Sequence, residues 1–70
     1  MPLSMADKGQ RSQIRKIGGQ EKTRRFLGNL GFVEGADVTV ISELAGNVIV
    51  EIKDARVAID KKMASNILVS

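Results

Sequence analysis

Two glycines, Gly31 and Gly35, mark the point where the hydrophobic pattern of this 70-residue chain changes from helical to extended. The residues that recur with helical spacing before them are Thr23, Phe26, Leu27 and Leu30. This spacing predicts a short amphipathic helix with that face buried. Gly31 follows the last periodic residue, where helices often end in a left-handed conformation that glycine adopts without strain. Gly35 fits a type II turn, whose second central residue needs a positive φ.

Alternating apolar residues predict strands on both sides of this helix. The predicted strands are 13–17, 36–44, 48–52, 56–59 and 67–69, with turns at 45–47 and 54–55. The first strand alternates poorly, because Ile14 and Ile17 are three positions apart. Short strands, tight turns and one helix predict a mainly β domain, a small and partly open barrel of about five strands over residues 1–70.

The predicted core consists of apolar residues from the helix and from the inward faces of the strands. Its members are Phe26, Leu27, Leu30, Val38, Val40, Val50, Ile52, Val57, Ile59 and Ile67. Phe32 is also expected in the core, and Leu3 and Met5 are expected to lay the N-terminal segment against it. Asp60 is predicted to cap a short helical turn that ends at Ala64.

The absence of cysteine and histidine narrows the function most. Without them the chain has no disulfide, no thiolate or imidazole metal ligand and no imidazole general base, which argues against a free-standing enzyme. No catalytic residues, cofactor or metal site are predicted, because Glu43, Glu51, Asp54 and Asp60 are spread over strands and turns. An Fe(II) site built from carboxylates alone is a weaker alternative. With no signal peptide and no apolar run of membrane length, we expect a cytoplasmic protein that does not itself span the membrane.

The positive charge is concentrated in the first half of the chain. Residues 1–35 carry seven basic and three acidic side chains (7 − 3 = +4), and residues 36–70 carry four and five (4 − 5 = −1). A basic half of this kind suits binding to an acidic protein surface, to nucleic acid or to an anionic membrane face. A solvated surface that only aids solubility is an equal alternative. Single-strand binders use aromatic platforms, and this chain has only two aromatic residues, both Phe. Nucleic acid is therefore not the expected partner. A small basic barrel that binds nucleic acid is kept as the alternative function.

The segment Leu30-Gly31-Phe32-Val33-Glu34-Gly35, which we call the elbow, resembles a family signature. It is similar to the Leu-Gly-apolar-x-Pro-Gly elbow of the FeoA family, small accessory proteins of bacterial ferrous-iron uptake. The basic helix, the hairpin and the closing segments 56–59 and 64–69 follow the family's order over nearly the whole chain. Two departures are Glu34 in place of the usual Pro, and a 44–47 hairpin without the family's Pro and longer loop.

The resemblance implies an SH3-like β-barrel with one inserted short helix. It also implies a non-enzymatic role beside FeoB, the membrane ferrous-iron transporter, by docking on its cytoplasmic GTP-binding part, which would recruit the chain to the inner face of the membrane. The same fold occurs in iron-dependent repressors, but this chain lacks their helix-turn-helix. The expected partner-binding residues are Arg15, Lys16, Lys22, Arg24 and Arg25. Leu30, Gly31 and Gly35 are expected to be structural, and exposed strand edges would allow weak self-association.

Overall fold

The computed structural model describes all 70 residues and contains one five-stranded antiparallel sheet. The strands are β1 (Arg11–Ile17), β2 (Asp37–Leu44), β3 (Asn47–Ile52), β4 (Ala55–Asp60) and β5 (Ile67–Val69), and the helices are α1 (Glu21–Asn29) and α2 (Lys61–Ser65). A 3-10 turn, Leu3–Met5, precedes β1. The strand order is β4-β3-β2-β1-β5, so the sheet curls into a barrel that stays open between β4 and β5. The predicted mainly β architecture is confirmed.

A β-bulge explains the poor alternation of the first strand. Ile14 lies opposite Val69 on β5. The next pair along the same ladder is Lys16 with Leu68, so β1 contains one extra residue between the two pairs. An extra residue shifts the phase of the side chains that follow it. Ile14 is buried, and Ile17, three positions later, also packs against the core.

The core is entirely apolar, and all five strands, both helices, the 3-10 turn and the elbow contribute residues to it. Its buried members are Leu3, Ile14, Leu27, Phe32, Val38, Val40, Val48, Val50, Ile52, Ile59, Ala64, Ile67 and Val69. Leu30 and Val57 are partly buried against this cluster. No buried side-chain nitrogen or oxygen lacks a hydrogen-bond partner. A dry interior of this kind leaves polar chemistry to the surface.

Two predicted core residues are exposed instead. Phe26 is 49% exposed and Met5 is 70% exposed. Successive helical residues are rotated by about 100°, so Phe26 lies roughly 80° from the mean direction of Thr23 and Leu27 on α1. Phe32, which the elbow folds back over Leu27, is the aromatic ring that enters the core. The prediction for Phe26 is therefore wrong, and that for Phe32 is confirmed.

The β3–β4 turn lies one residue earlier than predicted. Ile52 pairs with Ala55, which places Lys53 and Asp54 at the two central positions. Their φ values are 48° and 63°, so this is a type I′ turn made without glycine. The alternation of apolar residues on both sides of the turn is compatible with a turn at 53–54 or at 54–55. The pairing of Ile52 with Ala55 shows that the turn lies at 53–54.

α2 covers the open side of the barrel. Asp60 precedes it, and its Oδ1 accepts a hydrogen bond of 2.7 Å from the Met63 amide, so the predicted cap is confirmed. The helix contacts β4, β5 and the N-terminal 3-10 turn, with Ala64 buried. β5 is covered further by the N-terminus, because the Val69 amide donates to the Met1 carbonyl at 2.7 Å.

Candidate functional site

The five predicted partner-binding cations lie on two consecutive elements, and all of them are exposed. Arg15 and Lys16 belong to β1, whereas Lys22, Arg24 and Arg25 belong to α1. The loop between the two elements is only three residues long, so the structure brings the two groups onto neighbouring parts of one surface. Three further features of the chain decide how these cations are presented.

The first feature is the close contact of the β1–α1 loop with Asn66, which follows α2. The Gly18 amide donates a hydrogen bond of 2.7 Å to the Asn66 carbonyl. Gly19 has a φ of 91°, and a Cβ at this position would lie 2.9 Å from Nδ2 of Asn66. A side chain at Gly19 would therefore be strained and would displace the side chain of Asn66. These glycines set the point from which α1 begins.

The second feature is the C-terminal turn of α1. The Phe32 amide donates to the Leu27 carbonyl and the Gly31 amide to the Gly28 carbonyl, both at 3.0 Å. This pair of bonds is a Schellman motif with Gly31 at the left-handed position, where its φ is 106°. The motif brings Phe32 back onto Leu27, and both side chains are buried.

The second half of the elbow attaches to β1. The Ala36 amide donates to the Val33 carbonyl at 3.1 Å, which closes a turn with Gly35 at φ 87°. The Gly35 amide in turn donates to the Ile14 carbonyl at 2.8 Å. Gly31 and Gly35 thus have the positive φ that the sequence predicts, and the elbow holds Val33 and Glu34 outward beside α1.

The third feature is a shallow groove of about 510 Å³ between α1, the end of β1 and the elbow. Its apolar lining comes from Ile17, Phe32 and Val33, and its charged lining comes from Glu21, Arg24, Arg25 and Glu34. Val33 is 42% exposed, so an apolar side chain of a partner could contact it directly. The groove combines a small apolar floor with a charged rim, which is the usual make-up of a protein-binding surface.

The predicted cations differ in the partners that their side chains have within the chain. Arg25 pairs with Glu21 at 2.8 Å, one helical turn away, with both side chains more than two-thirds exposed. Arg15 donates from Nε to the Ser70 hydroxyl. Arg24 has neither an ion pair nor a side-chain hydrogen bond. Arg24 is therefore the cation at the groove with its full donor capacity free.

The structure does not bring all five predicted residues into one site. Arg24 and Arg25 line the groove, whereas Arg15, Lys16 and Lys22 do not. The helical rotation of about 100° per residue places Lys22 on the other flank of α1, beside the exposed Phe26. The predicted set is thus a broad basic surface around the β1–α1 connection, with the groove on one side of it.

Most of the groove's lining residues were not predicted as site residues. One signal was present in the sequence: Glu21, Arg24, Arg25 and Gly28 recur at i, i+3, i+4 and i+7 and form a second stripe along α1. Glu34 and Val33 join them only through the elbow's geometry, which the stripe does not reveal.

A second depression, of about 350 Å³, lies over β1, β2 and β3. Its polar lining has both charge signs and consists of Arg11, Asp37, Thr39, Glu51, Lys53 and Asp54. No group of three or more acidic side chains in the chain is arranged to hold a metal ion. None of the helices has both the length and the hydrophobicity that spanning a membrane requires.

Comparison with known proteins identifies close structural relatives. The sequence model of the FeoA domain matches residues 1–70. A crystal structure of an iron uptake regulatory protein, FeoA, has 27% identity and a TM-score of 0.90, covering 99% of this chain and 93% of that one. FeoA from Chlorobium tepidum has 25% identity and a TM-score of 0.91, covering 99% and 68%. No curated protein matches the sequence.

A third solved structure bears on the fold. FeoA from Stenotrophomonas maltophilia, solved with zinc, has 21% identity and a TM-score of 0.83, covering 100% of this chain and 89% of that one. It is described as a prokaryotic SH3 domain protein and a candidate ferrous iron transport activating factor. At this identity the likeness shows the fold, and it confirms the SH3-like architecture predicted above.

Proposed function

Because this chain belongs to the FeoA family, we propose that it is a non-enzymatic accessory protein of ferrous-iron transport. It acts in the cytoplasm by docking on the cytoplasmic portion of a FeoB-type transporter, which recruits it to the inner face of the membrane. Support for the transport role comes from the FeoA relatives, one of which is called an iron uptake regulatory protein. Support for a docking role comes from the surface of this chain.

The observation that carries the docking proposal is the groove beside α1. Its apolar floor includes the half-exposed Val33, and its rim includes Arg24, which has no partner within the chain. A partner segment with an acidic residue beside an apolar one would pair with Arg24 and cover Val33 together. We place Arg24 and Arg25 at the centre of this contact, with Arg15, Lys16 and Lys22 on the surrounding basic surface that steers the approach.

Binding of the isotope-labelled chain to the soluble cytoplasmic portion of the cognate transporter tests this proposal. Amide shifts in an NMR titration should map to α1, the elbow and the end of β1. Arg24→Glu should weaken binding roughly tenfold, because it replaces an attraction at the rim by a repulsion. A titration that shifts only residues far from α1 would refute the site.

Lys8→Glu is the matched control for this variant. It makes the same change in net charge, so it alters long-range steering to the same extent. Lys8 lies before the start of β1, whereas α1 lies after its end. The seven residues of β1 span about 20 Å, so Lys8 and the start of α1 are at opposite ends of this strand. Binding that falls equally in both variants would show that net charge, and not the groove, carries the interaction.

The same titration with a short mixed-sequence RNA at two salt concentrations tests the alternative of a nucleic-acid-binding barrel. Such binding would fall steeply with salt through counterion release. Phe26 is the only aromatic side chain exposed for base stacking. Shifts with RNA and none with the transporter fragment would leave the family fold but overturn the docking proposal.

A further inference from the structure

The two edges of the sheet differ in their protection. At β5, a strand of three residues, the N-terminus adds hydrogen bonds between Met1 and Val69, and Pro2 bridges to Leu68. β4 has six residues, no proline or glycine, and an uninterrupted ladder with β3. Straight edge strands of this kind offer unpaired backbone groups to another chain, and proteins normally protect them.

Half of the backbone groups of β4 point away from the sheet. The two-residue turn makes Ile52 and Ala55 a hydrogen-bonded pair, and bonded pairs then alternate along the ladder. Val57 and Ile59 therefore bond to β3, while Arg56 and Ala58 direct their amides and carbonyls outward. No other hydrogen bond in the chain uses the backbone of Arg56 or Ala58.

The segment Arg56-Val57-Ala58-Ile59-Asp60 complements itself when it is reversed. In antiparallel pairing about a two-fold axis through Ala58, Arg56 lies opposite Asp60 of the second copy, and Val57 lies opposite Ile59. The paired charges are opposite in sign, the paired apolar residues share the inner face, and the small Ala58 lies at the axis. From this complementarity we propose that β4 is a homodimerisation edge, which joins two copies into one continuous sheet.

Other registers are less favourable. A two-fold axis at Arg56 sets the two guanidinium groups opposite each other, and an axis at Val57 sets Asp60 opposite the acidic Asp54 of the second copy. A slip by a single residue brings outward-directed backbone groups against inward-directed ones. The axis through Ala58 is the register that satisfies charge, polarity and hydrogen bonding together.

The outward side of β4 stays accessible at Arg56 and Ala58, which are both exposed. α2 begins after Asp60 and contacts β4, but it directs Ala64 into the interior and also packs against β5 and the N-terminal 3-10 turn. Arg56 has only a long ion pair of 3.9 Å with Glu51, and its side chain is 67% exposed. The guanidinium can therefore reach a second carboxylate without losing a strong bond.

Disulfide trapping tests the register, because the chain contains no cysteine of its own. In Ala58→Cys the two new thiols face each other across the axis, with Cα atoms about 5.5 Å apart, within disulfide range. In Arg56→Cys they are offset by four residues, or about 13 Å. With a mild oxidant such as diamide, we expect a covalent dimer from Ala58→Cys and little from Arg56→Cys. Equal crosslinking of both variants would overturn the proposed register.

Sedimentation equilibrium of the unmodified chain tests the dimer itself. The mass should rise toward that of two copies as the concentration increases to the millimolar range. Arg56→Glu should weaken association about tenfold, because the pair of residues 56 and 60 occurs twice in a two-fold interface. Lys8→Glu should leave association unchanged. A chain that stays monomeric at the highest concentration would overturn the proposal. No transporter is present in these experiments, so their failure leaves the docking proposal untouched.

Discussion

Gly31→Ala measures how strongly the elbow depends on glycine. Gly31 has a φ of 106°, beyond the left-handed helical region that other residues occasionally occupy. Holding a side chain there costs about 1–3 kcal/mol. The new Cβ would lie 3.3 Å from Cδ of Lys53, but this is a flexible side chain that can move aside. Backbone strain is therefore the main cost.

This cost is a large share of the stability of a small domain. A chain of 70 residues is stable by about 3.5–10 kcal/mol. A loss of about 2 kcal/mol should lower the Tm by about 8–16 °C, since each kcal/mol shifts a domain of this size by about 4–8 °C. Thermal unfolding followed by far-UV circular dichroism measures the change. Gly31→Val should be worse, because its β-branched side chain is stiffer at χ1.

Gly28→Ala is the matched control, three residues earlier and within α1. Gly28 has no positive φ, and a Cβ there would meet nothing within 4 Å. The same substitution should therefore stabilise α1 by about 0.5–1 kcal/mol, because alanine is the better helix former. The two variants are expected to move the Tm in opposite directions. An unchanged Tm in Gly31→Ala would refute the assignment of Gly31 as a backbone requirement.

Substitutions at two further places test local features of the barrel. Asp60→Ala removes the 2.7 Å cap on the Met63 amide and should cost about 1 kcal/mol in urea unfolding, whereas Asp60→Asn, which keeps an acceptor oxygen, should cost less. A loss as large in Asp60→Asn would show that the negative charge, and not the hydrogen bond, matters. Replacing Lys53-Asp54 by Asn-Gly should raise the Tm by roughly 4–8 °C, because that pair suits the type I′ turn. A lower Tm would mean that Lys53 stabilises the elbow more than its φ costs.

The features predicted best from the sequence are those that arise within a few residues. The end of α1 at Gly31 and the cap at Asp60 depend on backbone groups no more than five residues away. Any fold that contains these segments must satisfy the same orphan amides and carbonyls, so the local signal survives without tertiary information. The inward faces of β2 and β3 follow equally from their alternation, because a period of two allows only two choices.

The candidate site was predicted only in part, because it depends on contacts between segments that are distant in the sequence. Cations can be located by counting charges, but the counting does not show which of them share a surface feature. Arg24 and Arg25 meet Val33 in one groove because the Schellman motif at Gly31 and the attachment of Gly35 to β1 set the elbow against α1. Those contacts join parts of the chain that no local pattern connects.

The sequence by itself determined the helix, its stop, the cap and the alternating faces, since these follow from propensities and from hydrogen bonds between near neighbours. Only the tertiary structure decided which phenylalanine is buried, how the bulge in β1 brings Ile14 and Ile17 to one core, and where the β3–β4 turn lies. Each of these is a choice between arrangements of similar local energy. Such choices are made by packing, because the interior admits one close fit of the apolar side chains and the losing candidate, here Phe26, remains at the surface.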